Sequence, residues 1–352
     1  MTNFLQAARE RVVIYDGAMG TSIQEYHPTV EDYWGNEGCS EILVLSRPQM
    51  IREIHASYLA VGADIIETNT FGASRIVLAE YDLQDKVAEL NHAAIRLARE
   101  TAAQFSTADR PRYIAGSIGP STKLPSLGHI SFDEMYDAYL EQMLALIQGE
   151  GGVDVLLIET CQDLLQAKCA LAAAFDAMRQ ASKLLPVQVQ VTLEATGTML
   201  LGSEIGAALS TLEPFDVDAI GLNCATGPRE MNDAVRYLGD NSPKLISVLP
   251  NAGLPQNVGG RAVYTLTPQE LAEYHRRFIT EYGVNIVGGC CGTTPEHIKS
   301  IVEVCANLTP LRREVKSAGT ASSAYSSVPL DLEPKPLVVA EEMNTTTQKA
   351  HF

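Results

Sequence analysis

The sequence predicts an α/β protein built on a (β/α)8 TIM barrel, followed by a C-terminal linker and a short tail. Two observations carry this prediction. Eight short runs rich in β-branched residues recur along the chain, each followed by a longer amphipathic segment. Strands alternating with helices make parallel sheets, and eight βα units are what a closed barrel needs. Residues of unusual chemistry also cluster just after the runs, where the loops of a barrel gather at one face.

In order, the expected strands are VVIY (12–15), DIIET (64–68), YIAGS (113–117), VLLIE (155–159), VQVQVTLE (187–194), AIGLNC (219–224), LISVLP (245–250) and NIVGG (285–289). Several helices between them mark their own starts. Ser131 with Glu134, and Thr267-Pro268 with Glu270, fit the capping box, in which a hydroxyl and a carboxylate three residues apart satisfy free backbone N–H groups. Thr294-Pro295-Glu296 opens the last helix in a similar way. Gly62 and Gly283 stand at helix ends, where a left-handed turn costs glycine little.

The alternation stops near residue 310, so residues 1–310 are assigned to the barrel and 311–352 to a linker and tail. The segment 313–336, rich in Ser, Ala, Pro and charge, has the composition of a surface linker. A short apolar piece, PLVVAEEMN (336–344), follows it.

Composition excludes several function classes. With 352 residues and 46% apolar content the chain can bury a large core. A formal net charge of −17 opposes binding to nucleic acid or anionic lipid, because both depend on clustered Lys and Arg. The N-terminal stretch has no apolar signal core, and no run is long enough to span a membrane, so a cytoplasmic protein is expected. Seven scattered cysteines do not form a secreted disulfide framework.

The chemistry concentrates at the expected strand ends. Asp16 ends the first strand in DGAMGT, Glu67 the second in ETNTFG, Glu159 the fourth and Glu194 the fifth. Cys224 ends the sixth in GLNCATGP, Asn251 the seventh in PNAGLP, and Cys290-Cys291 the eighth in GGCCGTTPEH. Strands six and eight of a closed barrel lie two apart, so their ends can converge. Three thiolates there suit Zn²⁺, which prefers tetrahedral sulfur and nitrogen ligands and keeps three protein ligands at open catalytic sites. Buried apolar packing and a vicinal disulfide compete with that reading, since free Cys behaves as a small hydrophobe. Packing suits Cys39, Cys161, Cys169 and Cys305.

The motifs DGAMGT, ETNTFGAS, GLNCATGP, PNAGLP and GGCCGTTPEHI, in this order between about residues 11 and 305, resemble the homocysteine S-methyltransferase family, most of all the homocysteine-binding module of cobalamin-dependent methionine synthases. The resemblance implies a (β/α)8 barrel in which Cys224, Cys290 and Cys291 bind zinc and act in catalysis. It implies that backbone N–H groups of Gly17, Ala18 and Met19 receive the homocysteine carboxylate, and that Asp16 and Glu159 receive its ammonium group. Asn251 matches a weak fourth zinc ligand of the substrate-free state. Betaine-dependent members place a tyrosine after the second-strand motif, where this chain has Phe71-Gly72, which argues against betaine as donor.

The resemblance further implies methyl transfer to homocysteine, giving methionine, with methylcobalamin on a separate corrinoid protein or domain as donor. A D-x-H-x-x-G cobalt-binding motif is missing from this sequence. The last stretch, LVVAEEMNTTTQKAHF, resembles the opening of the folate-binding barrel that follows this module in full-length enzymes, with Glu342 in place of an expected arginine. Either a stand-alone subunit or a piece of a longer enzyme fits. S-methylmethionine or another small donor, and a catalytically silent docking subunit, are the alternative readings.

Overall fold

A computed structural model describes residues 3–259, 261–315 and 319–331. All eight expected strands are present: β1 (Val13–Ile14), β2 (Ile65–Glu67), β3 (Tyr113–Ile118), β4 (Val155–Cys161), β5 (Val187–Val191), β6 (Ala219–Asn223), β7 (Leu245–Leu249) and β8 (Ile286–Val287). They pair in parallel in chain order, with β8 beside β1. A bridge between Tyr15 and Ile65 joins β1 to β2 and closes the (β/α)8 barrel.

The helices that follow the strands in turn are α1 (Pro48–Val61), α2 (Val87–Phe105), α3 (Phe132–Gln148), α4 (Leu164–Ala181), α5 (Ile205–Leu212), α6 (Pro228–Asn241), α7 (Pro268–Tyr282) and α8 (Pro295–Cys305). The capping boxes of Ser131 with Glu134 and of Thr267 with Glu270 form as the sequence predicts. At α8 the box is completed by His297 rather than a carboxylate, while Glu296 accepts from the Thr294 hydroxyl. Gly62 and Gly283 end α1 and α7 with φ of 111° and 68°.

Strand periodicity sorts the barrel into two cores. One face of each strand packs outward on the helices in a large shell. The other fills the barrel with Val13, Tyr15, Ile65, Tyr113, Ala115, Val155, Leu157, Ala219, Leu249 and Ile286. A helix at Phe4–Glu10, capped by Asn3, plugs the N-terminal end, with Phe4 edge-on to Tyr113 at 5.9 Å. Beside the plug, the buried Asp64 carboxylate receives Arg11 at 2.7 Å and lies 3.6 Å from both Arg110 and Arg112.

Two features depart from the sequence reading. β5 ends at Val191, so Glu194 falls in the following loop, outside the residues that line the central cavity. Part of the expected linker folds as a hairpin of Thr320–Ser322 and Ser327–Pro329. It docks at the start of α5, where Glu204 N–H donates to the Tyr325 carbonyl and the Ser203 hydroxyl to that of Ala324. The apolar piece 336–344 and Glu342 lie outside the described residues. No helix among the described residues is long and apolar enough to cross a membrane.

Candidate metal and amino acid site

The C-terminal ends of the strands surround a cavity of about 370 Å³. Its lining brings together residues far apart in sequence: Gly17, Ala18 and Met19 after β1, Glu67 of β2, Glu159 of β4, Cys224 after β6, and Cys290 and Cys291 after β8. Asp16 lies just beneath, buried, with one carboxylate oxygen accepting the Glu67 N–H at 3.1 Å.

Local backbone geometry aims the cysteines. Cys224 and Ala225 both hold φ near +57° (58° and 57°), a left-handed conformation that costs non-glycine residues of order 1–3 kcal/mol each. The 290–293 loop is tied down by Cys290 N–H to the Pro250 carbonyl, Ala252 N–H to the Cys291 carbonyl, and the Thr293 hydroxyl to the Cys290 carbonyl. The glycines of this motif exist for contact: a Cβ on Gly292 would lie 2.2 Å from the Tyr264 ring.

The sulfurs of Cys224, Cys290 and Cys291 all lie within 4.8 Å of one another, and Cys224 and Cys291 are 3.8 Å apart. Tetrahedral ligation with Zn–S bonds of ~2.3 Å requires sulfurs about 3.8 Å apart, so the spacing fits. All seven cysteines are free thiols, which disposes of a vicinal disulfide in this state. Within the trio, hydrogen bonds from Cys224 and Cys290 pull the Cys291 thiol down, and Cys290 is pushed up by donating to both neighbours. A divalent cation is the natural means of ionising all three thiols together. The Oδ1 of buried Asn251 has no hydrogen-bond partner among the described residues, and Asn251 is not among the residues that line the cavity. The remaining cysteines are buried, and burial pushes Cys169 and Cys305 up to about 12, leaving them protonated packing groups.

The carboxylates form a second cluster. Glu159 accepts the Ser117 hydroxyl at 2.5 Å on one oxygen and the Asn223 amide at 3.0 Å on the other. Burial raises Glu159 to about 7, and the charge of Cys291 adds to that rise. Burial also raises Asp16 and Glu67 well above the usual range, reinforced by Glu159 in both cases. Among the described residues, the cavity lining contains no Lys or Arg. Such a cleft repels anions and attracts an ammonium group.

The turn after β1 is arranged less uniformly. Ala18 N–H is already directed at the Thr293 hydroxyl at 3.2 Å, while Gly17 and Met19 N–H have no partner among the described residues. At the Phe71-Gly72 position, Gly72 N–H donates to Glu41 Oε1 at 2.7 Å, and a Cβ on Gly72 would meet that oxygen at 2.8 Å.

Asn223, Ser117, Thr293 and Tyr264 escaped the sequence reading. Asn223 binds Thr160 N–H through Oδ1 and Glu159 through Nδ2, so it ties the ends of β4 and β6 together. It sits inside GLNC, immediately before the cysteine, and that adjacency was the available signal. Tyr264 carried no signal, because a second hairpin, Gln256–Val258 with Arg261–Val263, which leads into Tyr264 and brings its hydroxyl to Cys291, is visible only in three dimensions.

A parallel barrel brings three thiols together, close enough to hold a metal ion, beside a cleft whose described lining carries carboxylates and neither Lys nor Arg. The sequence model of the homocysteine S-methyltransferase family matches residues 13–305, and the chain belongs to that family. It is 46% identical over 348 residues to methionine synthase of Mycobacterium tuberculosis and 46% identical over 353 residues to that of Mycobacterium leprae. Each match covers 99% of this chain and 29% of the relative, so the chain spans less than a third of those proteins' length. Among solved structures, the metallated homocysteine methyltransferase MmuM of Escherichia coli matches with a TM-score of 0.67 at 20% identity, covering 84% of this chain and 96% of that one. That likeness concerns the fold.

Proposed function

We propose that this chain binds homocysteine and activates its thiol for methylation to methionine, with methylcobalamin on a separate corrinoid protein or domain as the methyl donor. The reading is carried by the three sulfurs within 4.8 Å of one another on the wall of an acidic cavity. Cys224, Cys290 and Cys291 would hold Zn²⁺, with Asn251 as an additional weak ligand. Zinc there supplies the Lewis acidity that lets a thiol ionise near neutral pH, against an ordinary thiol pKa of ~8.5.

The protein's own groups do the rest. Asp16 and Glu159 supply the negative potential that attracts the ammonium group, and Ser117 and Asn223 fix the Glu159 carboxylate. Gly17 and Met19 offer N–H groups to the substrate carboxylate, and Thr293 sets the turn through Ala18. Asp16 and Glu159 lie on different strands, so the closed barrel orients the amino acid with its thiol directed at the cysteines. The length of the methionine synthase relatives supports donor modules beyond this one.

The test is metal content together with a donor panel. Purified protein should hold close to one zinc per chain, and Cys224→Ser, Cys290→Ser or Cys291→Ser should each strip most of it under dilute chelator. The metal-free protein should keep its far-UV helix signal, because the barrel is held by strand pairing and by its shell of apolar helix contacts rather than by the ion. Methionine should form with methylcobalamin or a methylated corrinoid protein and not with betaine. Full zinc in all three mutants would place the metal elsewhere, and turnover with S-methylmethionine alone would replace the donor assignment.

A further inference from the structure

The GGCCGTTPEH motif ends in a histidine that the amino acid site does not use, and this side chain anchors a strap across the cysteine loop. His297 Nδ1 accepts the Thr294 N–H at 3.2 Å, so the ring proton sits on Nε2, 2.9 Å from the Leu266 carbonyl. Leu266 N–H donates to the Ala252 carbonyl at 3.0 Å, and Ala252 N–H donates to the Cys291 carbonyl at 3.0 Å. The segment 264–266 is thereby tied to α8 on one side and to the cysteine loop on the other. Its first residue, the half-buried Tyr264, lays its ring on Gly292, where a Cβ would lie 2.2 Å from Cγ and 2.4 Å from Cδ2. The Tyr264 hydroxyl faces Cys291. Once a metal takes the three sulfurs, the S–H groups of Cys224 and Cys290 are gone, and with them their hydrogen bonds to Cys291. The tyrosine hydroxyl remains.

We propose that Tyr264 is a positioning residue of the metal centre: its hydroxyl donates to the Cys291 thiolate of the loaded site, while its ring shields the backbone side of the cysteine loop from solvent. This goes beyond the homocysteine reading and rests on its metal assignment alone. A hydrogen bond draws electron density from a thiolate and weakens it as a metal donor. Cys291 then neutralises less of the metal's charge, and more is left to ionise a substrate thiol. Gly292 serves the same arrangement, because at φ of 78° and with the ring against it no side chain fits there.

The experiment compares the full chain of wild type, Tyr264→Phe and Tyr264→Ala, loaded with Co²⁺ for absorption and with Zn²⁺ for competition against a chelator. Tyr264→Phe keeps the ring and loses the hydroxyl. It should hold the same metal content as wild type and keep the thermal midpoint of the metal-free protein. Its sulfur-to-cobalt charge-transfer band should move to longer wavelength, and its zinc affinity should fall about tenfold, as for loss of an outer partner of a metal ligand. Tyr264→Ala should shift the band likewise and also release zinc to the chelator faster than Tyr264→Phe does. An unchanged band and affinity in Tyr264→Phe would overturn the role of the hydroxyl, and equal release rates in the two variants that of the ring. An unmoved band with a lowered midpoint would make Tyr264 a packing group and overturn the proposal as well. Wild type that takes up no cobalt would sink the metal assignment and this inference with it. Wild type and variants that show the expected bands but bind no homocysteine would sink the homocysteine reading and leave the role of Tyr264 standing.

Discussion

At the N-terminal end of the barrel one buried carboxylate, Asp64, meets three arginines; at the C-terminal end Asp16, Glu67 and Glu159 meet none. Both ends belong to the same closed sheet. Their difference is one of purpose. The lower end has every charge answered from within the chain, since Asp64 also accepts the Ile14 N–H at 3.1 Å and Arg112 donates to the Ala63 carbonyl at 2.7 Å. The upper end leaves negative charge unanswered beside three thiols. A folded chain tolerates that only when a ligand completes the site, which is why this end reads as functional and the other as structural.

The comparison breaks most easily at Asp64. Replacing it by Ala leaves three guanidinium groups facing an empty, partly buried space, and removal of one partner from a buried ion network costs about 3–5 kcal/mol. Asp64→Ala should lower the urea midpoint accordingly, while any protein that still folds should retain zinc and homocysteine affinity. Lost zinc with an unchanged midpoint would show that the two ends are not independent.

Legibility in the sequence followed the same division. The strands were readable because their β-branched runs are local signals, and the strand-end chemistry was readable because the barrel places strand ends at one mouth. Two strands shrink to two residues each, Val13–Ile14 and Ile286–Val287, although Tyr15 still donates to the Val287 carbonyl and bridges Ile65, and Gly289 N–H still reaches the Asp16 carbonyl. The hairpin over Thr320–Pro329 was unreadable: its residues carry no apolar alternation, and it is held by hydrogen bonds to α5 that exist only after folding. Ser117 was unreadable, and Asn223 legible only by its place beside Cys224, for a related reason. Their role is to hold Glu159, a relation across three strands that no spacing encodes.

The next effect concerns the upper end. Glu159→Gln can keep its clamp, because the new amide oxygen still accepts from Asn223 and the new amide N–H can donate to Ser117. The substitution therefore removes charge without removing position. Homocysteine affinity should fall by about 1.5 kcal/mol, roughly tenfold, the lower end for a charged hydrogen bond because the carboxylate oxygens already have donors. Zinc content should not change. An unchanged homocysteine affinity, or lost zinc, would remove Glu159 from the amino acid site.

The effect that is smallest per unit change in conditions is a pH dependence, and it runs opposite to the usual behaviour of a stabilising carboxylate. Burial raises Glu159 from 4.5 to about 7, so between those values the folded protein holds a proton that the unfolded chain has released. Stability then falls as pH rises through this window, by at most about 1.4 kcal/mol per pH unit for one group. His55 and His275 work against it: burial lowers both to about 4, so the unfolded chain binds their protons first and stability rises with pH up to the ordinary histidine range. The total slope mixes these terms, but the difference between wild type and Glu159→Gln isolates the carboxylate. In urea titrations of metal-free, reduced protein from about pH 5 to about pH 8, the variant should gain on wild type by up to about 1 kcal/mol per pH unit and level off above pH ~7. A difference that stays constant with pH would mean that Glu159 ionises in the folded state as readily as in water, and the upper end would then hold its charge as comfortably as the lower.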